Sequence, residues 1–334
     1  MKNILVVGSG FSGAVIAREL AERGFFVDVI DKRDHIAGNA YDFVNHLGIR
    51  IHKYGPHIFH TSNSKVVEWL SRFTEWLPYE HRVQAVLQDG RYVTLPPNAE
   101  TAEIIGRENI VNVLFRPYTK KMWNVDLEEI DPNVINRVSI RDDLNLKYFP
   151  NDDFQAMPKD GYFVAFQRIL DHPNINVFLN ENFSPSCEGE YLHIFNSMPI
   201  DEYFDFELGK LPYRSIKFHH VDLPFPKLLN TSVVNFTHSG PFTRITEWKN
   251  FPNHGINDCY TSLTYEEPCD YLDNDEERFY PVKDLRGINR SLYEVYNGMV
   301  KSNMTFIGRC GLYAYLDMHQ AISSSLSIAQ KFIK

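Results

Sequence analysis

The sequence predicts an α/β protein with a Rossmann-like dinucleotide-binding domain, a small helical domain and an antiparallel β-sheet domain. Three observations carry this reading. The first is a strand–glycine–helix–strand–acid unit over residues 1–33. The second is a long stretch between residues 215 and 306 whose apolar residues follow strand patterns. The third is a second strand-into-glycine step, Thr305–Arg309, followed by a helical pattern over 317–334.

The opening unit is the best defined. Ile4-Leu5-Val6-Val7 is the short apolar run of a strand buried on both faces. It leads into Gly8-Ser9-Gly10-Phe11-Ser12-Gly13, and Ala14, Val15, Ile16, Ala17 and Leu20 then recur at helical spacing up to a stop at Gly24. In such a turn the first glycine permits the tight bend and the second admits a pyrophosphate close to backbone. The third lets helix and strand pack closely. The helix N-terminus offers free N–H groups and a positive dipole end to phosphate. A second apolar run, Phe25–Ile30, ends in Asp31, about twenty positions beyond the glycines, where a carboxylate accepts from a ribose hydroxyl. That acid disfavours a 2′-phosphate.

Beyond Asp31, Lys32 and Arg33, the small-residue turn at Gly38-Asn39-Ala40 permits a second close backbone approach. His52, His57 and His60 flank a Gly55-Pro56 break, which suggests a ligand-facing loop more than a metal site, because no cysteine or carboxylate accompanies them. Val66, Leu70, Phe73 and Leu77 predict an amphipathic helix. Val83, Ala85 and Leu87, then Asp89-Gly90, then Val93 and Leu95 predict a hairpin with a type I′ turn. In Phe115–Trp123 the aromatics at 115, 118 and 123 alternate with bases. That pattern fits stacking on and neutralising a nucleotide as well as it fits an amphipathic helix. Arg137 and Arg141 stand four apart, either a phosphate clamp or a solvated pair. A helix over Gly161–Leu170 and strands over Ile175–Leu179 and Tyr191–Phe195 return the chain to the dinucleotide domain. Ile216–Phe218, Ser232–Phe236, Phe242–Thr246 and Tyr260–Leu263 supply the sheet.

The 334 residues exceed one ordinary core, and 43% hydrophobic with 14% aromatic content indicates large buried side chains. A net charge of −9 excludes nucleic acid as a partner class, so an anionic ligand needs a locally basic pocket. No apolar run approaches the roughly 20 residues of a membrane span. The N-terminal strand lacks a signal-peptide core, so the cytoplasm is the expected location. Cys187, Cys259, Cys269 and Cys310 are scattered, with neither zinc nor disulfide spacing.

Taken in order, ILVVGSGFSGAVIARELAERG, VIDKRDHIAGNAYD, IHKYGPHIFHT, PYTKKMW, VINRVSIR, PFTRITEW, FYPV and FIGRCGLYAYLDMHQAI resemble the UDP-galactopyranose mutase family over nearly the whole chain. The resemblance implies an isomerase that interconverts pyranose and furanose forms of a nucleotide-diphospho-sugar. In that family the N5 of reduced FAD attacks the anomeric carbon. It implies FAD contacts from Gly8, Gly10, Phe11, Ser12, Gly13, Asp31, Lys32, Gly38, Asn39, His57, Arg309, Asp317 and Met318. His60 would lie near the isoalloxazine and act in catalysis with Arg137 and Arg244. Tyr118, Trp123, Tyr148, Tyr280 and Tyr315 would join the two arginines around the substrate, and Glu266 and Asp317 match acids near the active site. The cofactor carries the hard step, so the protein supplies placement and electrostatics.

The implied division is an FAD-binding domain from 1–76, 158–203 and 300–334, a helical substrate domain with a mobile loop over 98–149, and a sheet domain from 77–97 and 204–299. The segment between Pro96 and Tyr118 is short for that family, so the helical domain is reduced. Pro56, Asn124 and Leu316 depart from the family's usual residues. UDP-galactose is the leading substrate, with a dTDP-6-deoxyhexose or a UDP-N-acetylhexosamine as alternatives, and a homodimer is left open. The competing reading is an amine-oxidase-like or desaturase-like FAD oxidoreductase, which has no use for a diphosphate clamp of arginines. A flavin-free relative that binds prenylated partners is opposed by Asp31 and the intact glycine motif.

Overall fold

The structure, a computed structural model, describes residues 3–129 and 140–333. Its first layer is a five-stranded sheet in the order Ile175–Leu179, Val27–Asp31, Ile4–Val7, His193–Asn196, Met304–Phe306, with every pairing parallel. All four side chains of Ile4–Val7 are buried, as a strand covered on both faces requires. On one face, helix Phe11–Ala21 packs against helices Tyr162–Leu170 and Met318–Ile333. On the other, Leu5, Val7 and Ile194 meet Tyr213, Tyr271, Tyr293, Tyr296 and Tyr313, two of them from helix Ile288–Gly298.

The second large sheet has seven strands in the order Tyr280–Pro281, Tyr213–Leu223, Thr261–Asp270, Arg244–Glu247, Val233–Phe236, Val83–Val86, Tyr92–Leu95. It is the expected antiparallel sheet, with one parallel pairing where Val233–Phe236 runs beside Val83–Val86. The exception arises because the hairpin joins this sheet from a distant part of the chain instead of through a tight turn. Tyr260–Leu263 proves to be the start of a longer strand, paired along its length with Tyr213–Leu223.

Two local expectations are corrected. Of Asp89 and Gly90 only Gly90 has a positive φ (+85°), so the hairpin does not turn through type I′. Gly90 N donates to Leu87 O and Leu87 N to Arg91 O, a type I turn closed by a glycine bulge. The helix expected to reach Leu77 spans only Ser64–Leu70. Ser71, which follows the helix, donates to Val67 O through both N at 2.9 Å and Oγ at 2.7 Å. Leu77 lies instead in strand Trp76–Pro78, paired with Phe154–Pro158. That strand also pairs with Phe59–Thr61, which completes a three-stranded sheet and brings His60 beside Gln155.

Among the described residues of the middle of the chain, the main helical segments are Ala99–Ile105 and Arg116–Trp123, the second preceded directly by the π-helical turn Val111–Phe115. Asn98 caps the first by accepting from Thr101 N at 2.9 Å, and Asn124 ends the second in the left-handed region at φ +56°. Among the described residues no helix is long and apolar enough to cross a membrane. All four cysteines are free.

Candidate active site

The glycine turn has the form the sequence predicts. A Cβ on Gly13 would stand 1.8 Å from Gly8 O and a Cβ on Gly8 2.0 Å from Ser197 Oγ, so neither position tolerates a side chain. No side chain caps helix Phe11–Ala21, and its N-terminus remains open to an anion. The Gly38 turn folds onto this one. A Cβ on Gly38 would lie 2.9 Å from Gly10 Cα, so two stretches of bare backbone touch. Asp31 is buried at the strand end, where Oδ2 accepts from Ser9 N at 2.8 Å and Ser9 Oγ at 2.6 Å, and Oδ1 accepts from Arg33 N at 3.0 Å. Arg33 bonds Asn39 Oδ1, pairs with Glu277 and lies 4.3 Å from the centre of the Tyr54 ring. Ser9, Arg33 and Glu277 thus brace the predicted cradle. Ser9 alone had a legible signal, its place between the glycines.

A second group gathers residues far apart in sequence. Arg244 Nε donates to Glu266 Oε2 at 2.8 Å, between paired strands, and Glu266 is 1% exposed. Burial pushes the Glu266 carboxyl up, against the pull of Arg244. Glu266 Oε1 has no hydrogen-bond partner and faces Gly55, where a Cβ would stand 3.0 Å away. Tyr118 and Tyr148 lie within the field of Arg244, and burial pushes the Tyr118 phenol up to about 12. Tyr280 stacks on Tyr315 at 5.4 Å and meets the edge of Trp123 at 6.2 Å, while Arg309 stands 5.2 and 5.0 Å from the two tyrosine ring centres. Arg309 also donates to Phe279 O and Leu316 O. Tyr118, Trp123, Tyr280 and Tyr315 pack around Phe279 and Ile216 in one apolar cluster.

The histidines close the third side. His60 Nδ1 lies 2.6 Å from Asp152 Oδ2, and its ring stacks on Phe149 at 3.5 Å and 8°. Helix Met318–Ile333 places His319 5.7 Å from His60. His57 is half-buried, and its desolvation, with Arg309 and Arg244 adding, pushes it down to about 4. His81 is pushed down to about 3 by burial and by Arg244. Asp152 and Phe149 gave no sequence signal, because their partner lies ninety-odd positions earlier in the chain and the pairing of strands Phe59–Thr61 and Phe154–Pro158 creates the contact.

Other expectations resolve structurally. Lys121 donates to Phe236 O, His238 O and Phe242 O at 2.8–3.0 Å, while Lys120 pairs with Asp126 and Arg116 with Glu128. The bases of Phe115–Trp123 therefore hold the helix to its surroundings, and Phe115 packs against the main core. Arg141 is not half of a clamp. It is buried, donating to Pro96 O, Asn145 O and Lys147 O. Arg137 lies outside the described residues. Lys32 is exposed, Asp317 directly precedes the last described helix, and Met318 begins it.

Residues 113–315 match the family model described as UDP-galactopyranose mutase, and residues 6–73 match a NAD(P)-binding Rossmann-like domain. A probable UDP-galactopyranose mutase of Klebsiella pneumoniae is 34% identical, the match covering 99% of this chain and 95% of the relative. The dTDP-fucopyranose mutase of Escherichia coli is 33% identical over 100% of this chain and 99% of the relative. A solved structure of reduced UDP-galactopyranose mutase superposes with a TM-score of 0.79, covering 100% and 94% of the two chains at 16% identity. A putrescine oxidase superposes less well, at 0.60. A glycine cradle beside an aromatic cleft holding Arg244, together with relatives this similar over their full length, shows that the chain belongs to the UDP-galactopyranose mutase family.

Proposed function

We propose that the chain is an FAD-dependent nucleotide-sugar mutase that interconverts the pyranose and furanose forms of UDP-galactose, or of a dTDP-6-deoxyhexose or UDP-N-acetylhexosamine. The observation that carries the reading is the Arg244–Glu266 pair inside a cleft of tyrosines, next to a turn whose glycines leave no room for side chains. The cradle fits a dinucleotide. Its helix end is uncapped, Gly10 and Gly38 expose backbone, and Asp31 stands at the strand end. Reduced FAD, when bound, supplies a nucleophilic N5 for the anomeric carbon.

The remaining work falls to the chain's own residues. Arg244 is the cation for the diphosphate, its charge held in place by Glu266 in a cleft with little water to screen it. Tyr118 and Tyr280 keep their phenolic protons, since burial pushes both up, and so act as donors to phosphate oxygens. Trp123 supplies an apolar wall. The neutral His57 adds no positive charge beside the two arginines, and His60 is fixed by Asp152 and Phe149. Arg137 joins the diphosphate site in this proposal. In this proposal residues 1–76, 158–203 and 300–334 form the cofactor domain, 98–149 the reduced helical substrate domain, and 77–97 with 204–299 the sheet domain.

The test is turnover of UDP-galactofuranose, dTDP-fucofuranose and furanose UDP-N-acetylhexosamines, with and without dithionite. We expect isomerisation of at least one, only with dithionite. Isomerisation that proceeds equally with oxidised cofactor, or oxidation of an amine without isomerisation, refutes the proposal.

A further inference from the structure

Behind the cleft lie two imidazoles, His52 and His254, that the proposed chemistry does not use. The backbone N–H of His57 donates to His52 Nδ1 at 3.1 Å, so that nitrogen carries a lone pair and the His52 proton sits on Nε2. His52 Nε2 lies 3.1 Å from His254 Nε2. One donor and one acceptor are needed there, so His254 accepts and bears its own proton on Nδ1. His254 Nδ1 in turn lies 2.8 Å from Pro252 O, an acceptor only. The four partners admit a single assignment of protons, with both rings neutral.

The surroundings agree with that assignment. His52 is fully buried, with Trp248 at 5.0 Å and Tyr162 at 5.6 Å between ring centres, and burial pushes His254 down to about 4. Arg50 N donates to His254 O at 2.8 Å, so both the backbone and the ring of His254 are tied down. At the cleft end, Lys53 N bonds Tyr41 O, Tyr54 Oη bonds His35 Nε2, and Gly55 sits against Glu266 and Phe218. The His57 ring donates through Nδ1 to Gly55 O, which leaves its Nε2 as an acceptor, and Arg309 and Arg244 lie close enough to act on its charge.

We infer that His52 and His254 are positioning residues: a neutral imidazole relay that holds the Lys53–His57 turn, and with it His57 and the Gly55 wall beside Glu266, in place for the reaction. The inference rests on the mutase reading only for its kinetic readout. Neutrality follows from the hydrogen bonds, because an imidazolium at either position would lose its acceptor role or its partner in a buried site and be repelled by Arg50.

The test uses the cofactor-loaded full chain with ring-labelled histidine, and the variants His254→Gln and His254→Leu. The Gln amide can accept from His52 Nε2–H and donate to Pro252 O; Leu can do neither. Nitrogen NMR of the wild type is expected to report His52 as the Nε2–H tautomer. His254→Leu should move the His57 ring resonances and lower kcat by about tenfold or more with KM little changed, while His254→Gln should restore both to within about threefold. Finding His52 as the Nδ1–H tautomer overturns the inference, and so does a folded, loaded His254→Leu with wild-type kcat and an unmoved His57 ring. A purely structural role would lower the melting temperature and leave those two readouts in place. If His254→Leu does not fold, the wild-type tautomer and the Gln variant decide the question. If the wild type isomerises no nucleotide sugar, the function proposal fails while the tautomer and the His57 resonances still test the relay.

Discussion

Replacing Arg244 with Met keeps the length of the side chain and removes its charge, leaving Glu266 with no counter-ion at 1% exposure. Breaking a buried pair from one side costs about 3–5 kcal/mol because a bare charge remains in a poor solvent. Glu266 can avoid that cost by taking up a proton. In the variant its folded-state carboxyl titrates well above the usual value of 4.5, because burial acts with no arginine to oppose it. A group raised in the folded state contributes its full stability below its unfolded pKa and loses it as pH rises through the folded one. The stability gap between variant and wild type should therefore be small near pH 5 and widen towards pH 8, by up to about 1.4 kcal/mol per pH unit. Urea unfolding of the ligand-free chain at several pH values measures it. Adding Glu266→Gln should recover about 2 kcal/mol or more at pH 8 and little at pH 5. A gap that is the same at both pH values, or a double variant no more stable than Arg244→Met at pH 8, refutes the buried-pair argument.

Three further predictions concern the supports of the site. Gly13→Ala forces a methyl into Gly8 O, and should lower stability by about 1–3 kcal/mol or more and abolish flavin absorbance in the purified protein. His52, His57, His81 and His254 are all pushed down by burial, so the unfolded chain binds protons that the folded one refuses. Stability should then fall as pH drops from about 6.5 towards 4, at up to roughly 1.4 kcal/mol per pH unit for each histidine, measured by urea midpoints across that range. Lys121→Met strands the carbonyls of Phe236, His238 and Phe242 around the turn between two strands and should lower stability by about 2 kcal/mol while the melted fraction still fits one transition.

The Rossmann layer was legible because its signals are local. Apolar strand, glycine spacing, helical period and terminal acid all lie within one stretch, and each has its own steric or electrostatic cause. The cleft was legible only through resemblance. Nothing in the spacing of Arg244 and Glu266 announces an ion pair; the antiparallel register of strands Arg244–Glu247 and Thr261–Asp270 sets them opposite each other. The pairing of His60 with Asp152 arises in the same way, from strands Phe59–Thr61 and Phe154–Pro158. Bases misled the sequence reading for a related reason. Lys121 and Arg141 look like anion ligands in one dimension, yet a buried cation surrounded by unpaired carbonyls satisfies backbone instead. The helix overrun to Leu77 shows a four-residue spacing that continued by chance into a strand.

The contact between helices Phe11–Ala21 and Met318–Ile333 bears on how the protein is made. The strand that carries the glycine turn is flanked by Val27–Asp31 on one side and by His193–Asn196 on the other, and the helix that follows the turn rests on the last helix described. Closing these contacts draws together segments separated by most of the chain, so they contribute large loop entropies and form late. On a ribosome the cradle would remain open, with its apolar helix face exposed, until the helix Met318–Ile333 arrives. Cofactor that binds the closed form alone would then act as a clasp on the finished fold. Apo-protein starved of it in the cell should unravel first at the last helix and be lost to proteases there.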